Sequence, residues 1–145
     1  MFKTYNNLKN LHNLYEQNFI LLSKISGQLE REDFFSFNFE VGKKSSLVEI
    51  KKIKLSKFTD ELDFFIEDPI HIKNISLKCR IYKEAKMIEV IEFQNFHKDL
   101  LLIFSKNKYG LQKDERIQWN LFMNQFLNYC IHHGLSVENY LSPRI

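Results

Sequence analysis

The spacing of apolar residues near the N-terminus predicts a helix. Between about Asn6 and Ser26, apolar side chains recur every three or four residues and would form one stripe along a helix. The members of that stripe are Leu8, Leu11, Tyr15, Phe19, Leu22 and Ile25. Gly27 follows directly, and glycine readily takes the left-handed conformation in which many helices end. The pattern therefore predicts a first helix that ends just before this glycine.

Beyond the first helix, apolar and polar residues alternate, which is the period of a strand with one buried face. The first alternating run extends from Phe34 to Val41, and Gly42 begins the turn that follows it. The next run, from Leu47 to Leu55, changes phase at its centre. Because one inserted residue shifts the phase of a strand, this change predicts a β-bulge near Lys51 and Lys52.

Four further runs complete a predicted sheet of five or six strands. They cover Leu62 to Ile66, Leu77 to Tyr82, Met87 to Gln94 and Leu100 to Phe104. Short connections between such runs favour antiparallel neighbours. A last helix is predicted from about Asp114 to His133. The order of elements indicates an α+β fold, in which one antiparallel sheet packs against an N-terminal and a C-terminal helix.

Length and composition place the chain in the globular class. Its 145 residues, of which 44% are hydrophobic and 27% charged, suit a single domain over residues 1–145. The net charge of +3 is too small to indicate nucleic-acid binding by itself. No run approaches the roughly 18 apolar residues of a membrane span, and the N-terminus lacks the layout of a signal peptide. We therefore expect a cytoplasmic protein without a membrane partner, in which Cys79 and Cys130 are reduced and mostly buried.

Polar residues at fixed spacing mark two blocks of the chain. One opens the predicted last helix with Gln112, Asp114, Glu115, Arg116, Gln118 and Asn120, and a second extends from Arg80 to Val90. Together they resemble a proteobacterial family catalogued as domain of unknown function 1249. The segment from Leu11 to Leu22 resembles it more loosely. The resemblance implies a compact cytoplasmic protein and transfers no activity.

The two blocks predict one polar cluster where the sheet meets the last helix. Arginine is rare in this chain, with 4 residues against 17 lysines, and Arg80 and Arg116 both fall in these blocks. A guanidinium bonds two carboxylate oxygens at once, which lysine does not, so we expect Arg80 to reach Asp114 or Glu115. The proposed members are Arg80, Tyr82, Glu89, Gln112, Asp114, Glu115, Arg116, Gln118 and Asn120. Such a cluster either binds a ligand or partner, or caps the helix and holds the fold together.

Three functions follow from these residues. The favoured one is a non-enzymatic binding or interaction module for an unknown protein or a small anionic ligand. The first alternative is a hydrolase-type enzyme that uses Asp114 and Glu115 as acid and base on an anionic substrate. The second is a weak RNA binder that uses the basic stretch from Lys43 to Lys57. That stretch lacks the interleaved aromatic residues that stack on bases, and it is better explained as a solvated strand, such as a sheet edge.

No catalytic residue, cofactor or metal is assigned from the sequence. Cys130 and His133 have the spacing of helical metal ligands, but they supply only two of the roughly four ligands of a structural zinc site. The chain also lacks a Cys-x-x-Cys pair, a glycine-rich phosphate loop and a serine-centred elbow. The identity of the partner and the oligomeric state stay open at this level.

Overall fold

Two helices and a five-stranded antiparallel sheet make up the parts of the chain that the structure describes. This computed structural model describes residues 8–25, 33–67, 74–96, 100 and 115–133. Helix α1 covers Leu8–Ile25 and helix α2 covers Glu115–His132. The strands are β1 Phe34–Val41, β2 Lys44–Lys54, β3 Thr59–Ile66, β4 Ile75–Tyr82 and β5 Met87–Gln94. The predicted α+β fold is confirmed.

The strands form an antiparallel meander in which each strand pairs with the next along the chain. Strands β1 and β2 are joined by Gly42 and Lys43 alone, because Val41 pairs with Lys44. Gly42 has a φ of 63°, in the left-handed region, which explains why glycine begins this turn. The order of the sheet makes β1 and β5 its two edge strands.

One face of the sheet packs against both helices and forms the core. Phe39 of β1 meets Phe126 of α2 edge to face, with ring centroids 5.6 Å apart, and Phe93 of β5 meets Phe122 in the same way at 5.1 Å. A smaller apolar cluster joins α1 to α2 through Leu14, Ile117 and Leu121. Neither described helix has the length and apolar character that crossing a membrane requires.

The predicted bulge near Lys51 and Lys52 is wrong. Strand β2 keeps an unbroken register with β3 through both residues. Ile53 and Leu55, which suggested the change of phase, are 39% and 46% exposed and do not belong to the core. The lysine-rich stretch therefore lies on an inner strand, between β1 and β3, and is not the edge of the sheet.

The irregularity of the sheet lies instead between β4 and β5. Lys78 pairs with Glu92, but the next residue, Cys79, pairs with Val90, so the register shifts by one residue at Ile91. The shift allows both Val90 and Phe93 to be buried although they are an odd number of positions apart.

The predicted sixth strand is also corrected. Leu100, where that strand would begin, is helical and buried. The rest of the run lies outside the described residues. The same is true of Gly27, which was predicted to end the first helix.

Both cysteines are buried free thiols, as predicted. Cys79 and Cys130 have no accessible surface and belong to the core between the sheet and α2. Burial raises the pKa of each thiol above its ordinary value. The thiols therefore stay protonated at neutral pH, and their role is core packing.

Candidate functional site

Glu89 of β5 lies where the sheet meets both helices. The hydroxyl of Tyr82 donates to its Oε1 at 3.0 Å, and the hydroxyl of Tyr15 donates to its Oε2 at 3.3 Å. Nη1 of Arg116 lies 3.6 Å from Oε2. The side chain of Glu89 is only 15% exposed, against 54% for that of Arg116. One carboxylate therefore joins α1, β4, β5 and α2.

Both tyrosines of this contact are stabilised in the protonated form. Burial raises the pKa of Tyr15 and of Tyr82, and the nearby negative charge of Glu89 raises each further. A protonated hydroxyl donates to the carboxylate, and ionisation would replace that bond with a repulsion. Both hydroxyls therefore stay protonated at neutral pH, and their ionisation under strongly alkaline conditions would weaken the arrangement.

Asn120 of α2 binds the outer edge of β5 at Val90. The backbone N–H of Val90 donates to its Oδ1 at 2.8 Å, and its Nδ2 donates to the carbonyl of Val90 at 3.3 Å. Nδ2 also donates to the carbonyl of Arg116 at 2.8 Å. The amide therefore takes the place of a neighbouring strand's peptide group. Since Asn120 is fully buried, these bonds compensate for the loss of its hydration.

Two more asparagines continue this network between the helices. Nδ2 of Asn18 in α1 donates to the carbonyl of Asn120 at 3.0 Å, and Nδ2 of Asn124 donates to Oδ1 of Asn18 at 2.9 Å. Asn18 was not among the predicted site residues. Its signal was its position four residues from both Leu14 and Leu22, which places it on the buried face of α1.

The predicted polar cluster is divided by the structure. Tyr82, Glu89 and Arg116 are joined as described, and Gln118 and Asn120 are buried on α2. Gln112 and Asp114 lie outside the described residues.

Arg80 is linked to the contact at Glu89 through a side-chain hydrogen bond with Tyr82. It is exposed, and the register places it between Glu61 and Glu89, on the same face of the sheet as Glu89. No ion pair joins it to Glu115 among the described residues, and Glu115 is exposed.

A second polar arrangement lies on the face of the sheet opposite the hydrophobic core. The register aligns one residue of each strand in a row: Phe34, Lys51, Asp63, Lys78 and Glu92. The charges in this row alternate in sign from β2 to β5. Nζ of Lys78 also lies 3.6 Å from the carboxylate of Glu61, so the charges are coupled across strands. We call this surface the open face.

The open face contains a groove of about 440 Å³. Its charged lining has three carboxylates and two ammonium groups, a formal charge of −1, from Glu49, Asp63, Glu92, Lys51 and Lys78. Phe34, Ser76 and Gln94 line it as well, and Phe34 is 52% exposed. Only the register of the strands shows that these residues share one groove.

The other candidates from the sequence do not form sites among the described residues. No three or more His, Cys, Asp or Glu side chains of the described chain are placed to hold a metal ion. Cys130 is buried, whereas His133 is exposed and stacks on Tyr129 with ring centroids 4.1 Å apart. In the basic stretch, Lys51 faces Asp63 across the strands and Lys54 faces Asp60.

Comparison with known proteins agrees with the sequence resemblance. A family model described as protein of unknown function (DUF1249) matches residues 23–136, which include the whole described sheet and α2. Neither the curated proteins nor the solved structures contain a match. Because the matched region covers most of the chain, this protein belongs to the DUF1249 family.

Proposed function

We propose that the protein is a non-enzymatic interaction module that holds a segment of a partner protein in the groove of the open face. The observation that carries the proposal is the row from Phe34 to Glu92, which offers alternating charges beside an exposed aromatic ring. A mixed-charge surface with an apolar contact selects partners by complementary charge and register. The groove volume is within the usual range of binding sites.

The net charge of the groove favours a basic segment. Its carboxylates outnumber its ammonium groups by one, so lysine or arginine side chains of a partner are attracted to Glu49, Asp63 and Glu92. Phe34 offers an aromatic face for the stem or the cation of such a side chain. A small anionic ligand is the weaker choice, since it would meet the carboxylates.

The polar block at the start of α2 supports stability more than binding. Gln118 and Asn120 are buried, and Asn120 is bonded to the backbone. The hydrolase alternative depends on Asp114 and Glu115. Glu115 does not line the groove, and Asp114 lies outside the described residues. We further propose that the protein acts in the cytoplasm, where its two free thiols would stay reduced.

The proposal is tested with short peptides of equal length, one set alternating lysine with leucine and one set alternating glutamate with leucine. Binding is followed by the NMR chemical shifts of backbone amides. We expect the basic peptides to bind and to shift amides of β2 to β5 on the open face. The double variant Asp63→Asn, Glu92→Gln should weaken binding by at least about tenfold, because it removes two charges from the row.

Glu84→Gln is the matched control, since Glu84 is an exposed acid in the turn between β4 and β5 and does not line the groove. It should bind the basic peptides as the wild type does. Equal binding of both peptide sets, or shifts confined to the first turns of α2, would show that the proposed groove is not the binding site.

A further inference from the structure

Strand β1 presents an open backbone edge. The carbonyl of Asp33 accepts a hydrogen bond from the N–H of Lys52 at 2.8 Å, so odd-numbered residues here direct their backbone groups towards β2. Even-numbered residues of β1 therefore direct theirs outwards. The carbonyl of Glu40 agrees with this, because it accepts a bond at 2.9 Å from the hydroxyl of Tyr129 outside the sheet.

Three successive outward-facing residues of β1 leave their backbone groups unpaired. The N–H and C=O of Phe34, Ser36 and Asn38 make no hydrogen bond within the described chain. At the opposite edge of the sheet, strand β5, Asn120 binds both outward backbone groups of Val90. An open row of this kind is a template for another strand.

The sequence of β1 lacks the usual protection against strand pairing. Phe34 to Phe39 contains no proline, no lysine and no other charged residue, and the strand pairs with β2 without a bulge. Phe34 is also exposed on the open face beside this edge. Each of these features favours the addition of a strand.

We propose that a second copy of this chain occupies the edge, with the two β1 strands antiparallel across a two-fold axis at Ser36. Ser36 then lies opposite Ser36 of the second copy, and Phe34 lies opposite Asn38. Each of the three unpaired residues exchanges both backbone hydrogen bonds with the other chain. The sheets of the two chains become one continuous sheet.

The side chains of β1 are compatible with antiparallel pairing of two copies of this strand. In this register no charged residue faces another across the axis from Phe34 to Asn38, so self-pairing incurs no like-charge repulsion. On the covered face, Phe35 and Phe37 lie opposite Phe37 and Phe35 of the second copy, which favours aromatic contact across the axis. A two-fold contact of this kind is closed and stops at a dimer. The proposal is independent of the groove as a binding site.

The test is sedimentation of the purified protein from micromolar to near-millimolar concentration. The wild type should change from monomer to dimer over this range. Ser36→Pro removes an outward donor without removing a bond between β1 and β2, so the fold is retained. We expect this variant to weaken dimerisation by at least about tenfold. Thermal unfolding checks that the sheet is intact.

Charge substitutions at the axis test the register itself. Ser36→Lys and Ser36→Asp each place like charges opposite one another, so each alone should be monomeric, whereas their equimolar mixture should form a heterodimer. Ser45→Lys is the control, because it adds the same charge to an exposed position of the inner strand β2 and should dimerise normally. A wild type that is monomeric throughout, a dimer that survives Ser36→Pro, or a mixture that stays monomeric overturns the proposal.

Discussion

The two edges of this sheet differ in the hydrogen bonding of their outward backbone groups. At β5, the amide of Asn120 binds the backbone of Val90, and Glu89 binds two tyrosines and Arg116 beside it. At β1, only the carbonyl of Glu40 has a partner among the outward groups of the described strand. Within the described chain, α2 binds one edge at Val90, whereas the outward groups of Phe34, Ser36 and Asn38 at the other edge are unpaired.

This difference distinguishes polar groups that hold the fold together from polar groups that a partner could bind. The block at the start of α2 is the most distinctive part of the sequence, but its buried residue Asn120 binds backbone groups inside the protein. The available groups belong to less distinctive segments, namely the backbone of β1 and the alternating charges of the open face. A distinctive polar sequence therefore need not be a binding site.

The largest effect on stability is expected from removing the side-chain amide of Asn120, which binds the edge of β5. Asn120→Ala leaves buried N–H and C=O groups of Val90 without their partner, so we expect the free energy of unfolding to fall by about 3 kcal/mol. Denaturant unfolding measures it. Asn128→Ala is the matched control, because Asn128 bonds only within α2, to Asn124, and its loss should cost under about 1 kcal/mol. Equal losses would mean that Asn120 does not close the edge.

Alkaline pH should weaken the covered side of the sheet. The pKa of each buried thiol is raised above 9.0 in the folded state, so stability is full below pH 9 and is lost as pH rises. Above that value the unfolded chain releases protons that the folded chain keeps. Each thiol then contributes a slope of up to about 1.4 kcal/mol per pH unit.

Urea unfolding between pH 7 and pH 11 measures this slope, and Cys79→Ala should reduce it even though the variant is less stable throughout. If Cys79→Ala left the pH dependence of the free energy of unfolding unchanged, the Cys79 thiol would have the same pKa in the folded and unfolded chain. The raised pKa values of Tyr15 and Tyr82 act in the same direction at higher pH.

Glu89→Gln should have a smaller effect than the loss of Asn120. The amide keeps one acceptor but cannot accept from both tyrosines, so we expect a loss of about 1 kcal/mol. The ion pair adds little, because Arg116 is more than half exposed. A double-mutant cycle with Tyr15→Phe should show non-additive losses, and strict additivity would contradict the contact.

The smallest effect is expected at Arg80. It was predicted to lock the sheet to the last helix, but it is exposed on the open face, so Arg80→Lys should change the free energy of unfolding by less than about 0.5 kcal/mol. A loss above about 1 kcal/mol in denaturant unfolding would favour the predicted contact with the helix.

Much of the candidate site was predictable, but its contacts were not. Tyr82, Glu89, Arg116 and Asn120 were all named from two sequence blocks, because their polar types stood at positions expected near the junction of sheet and helix. Arg80 forms no ion pair with Glu115, and Asp114, its other predicted partner, lies outside the described residues, so that contact stays a prediction. Arg116 contacts Glu89, since its helix passes beside β5.

The sequence by itself determined the elements and their buried faces. Two helices, five of the strands and the burial of both cysteines followed from local periodicity, because a side chain's neighbours three, four or two positions away decide its face. The same reasoning failed in β2, where Ile53 and Leu55 are apolar and yet exposed. Apolar character alone does not place a residue in the core.

Only the tertiary structure decided the register, the bulge and the state of the two edges. These depend on contacts between residues that are distant in the chain, such as Asn18 with Asn124 and Asn120 with Val90. The periodicity of a segment is the same whether or not its edge is covered, because it records which face is buried and not what lies beside the strand. The closed edge at β5 and the open edge at β1 are therefore properties of the assembled fold.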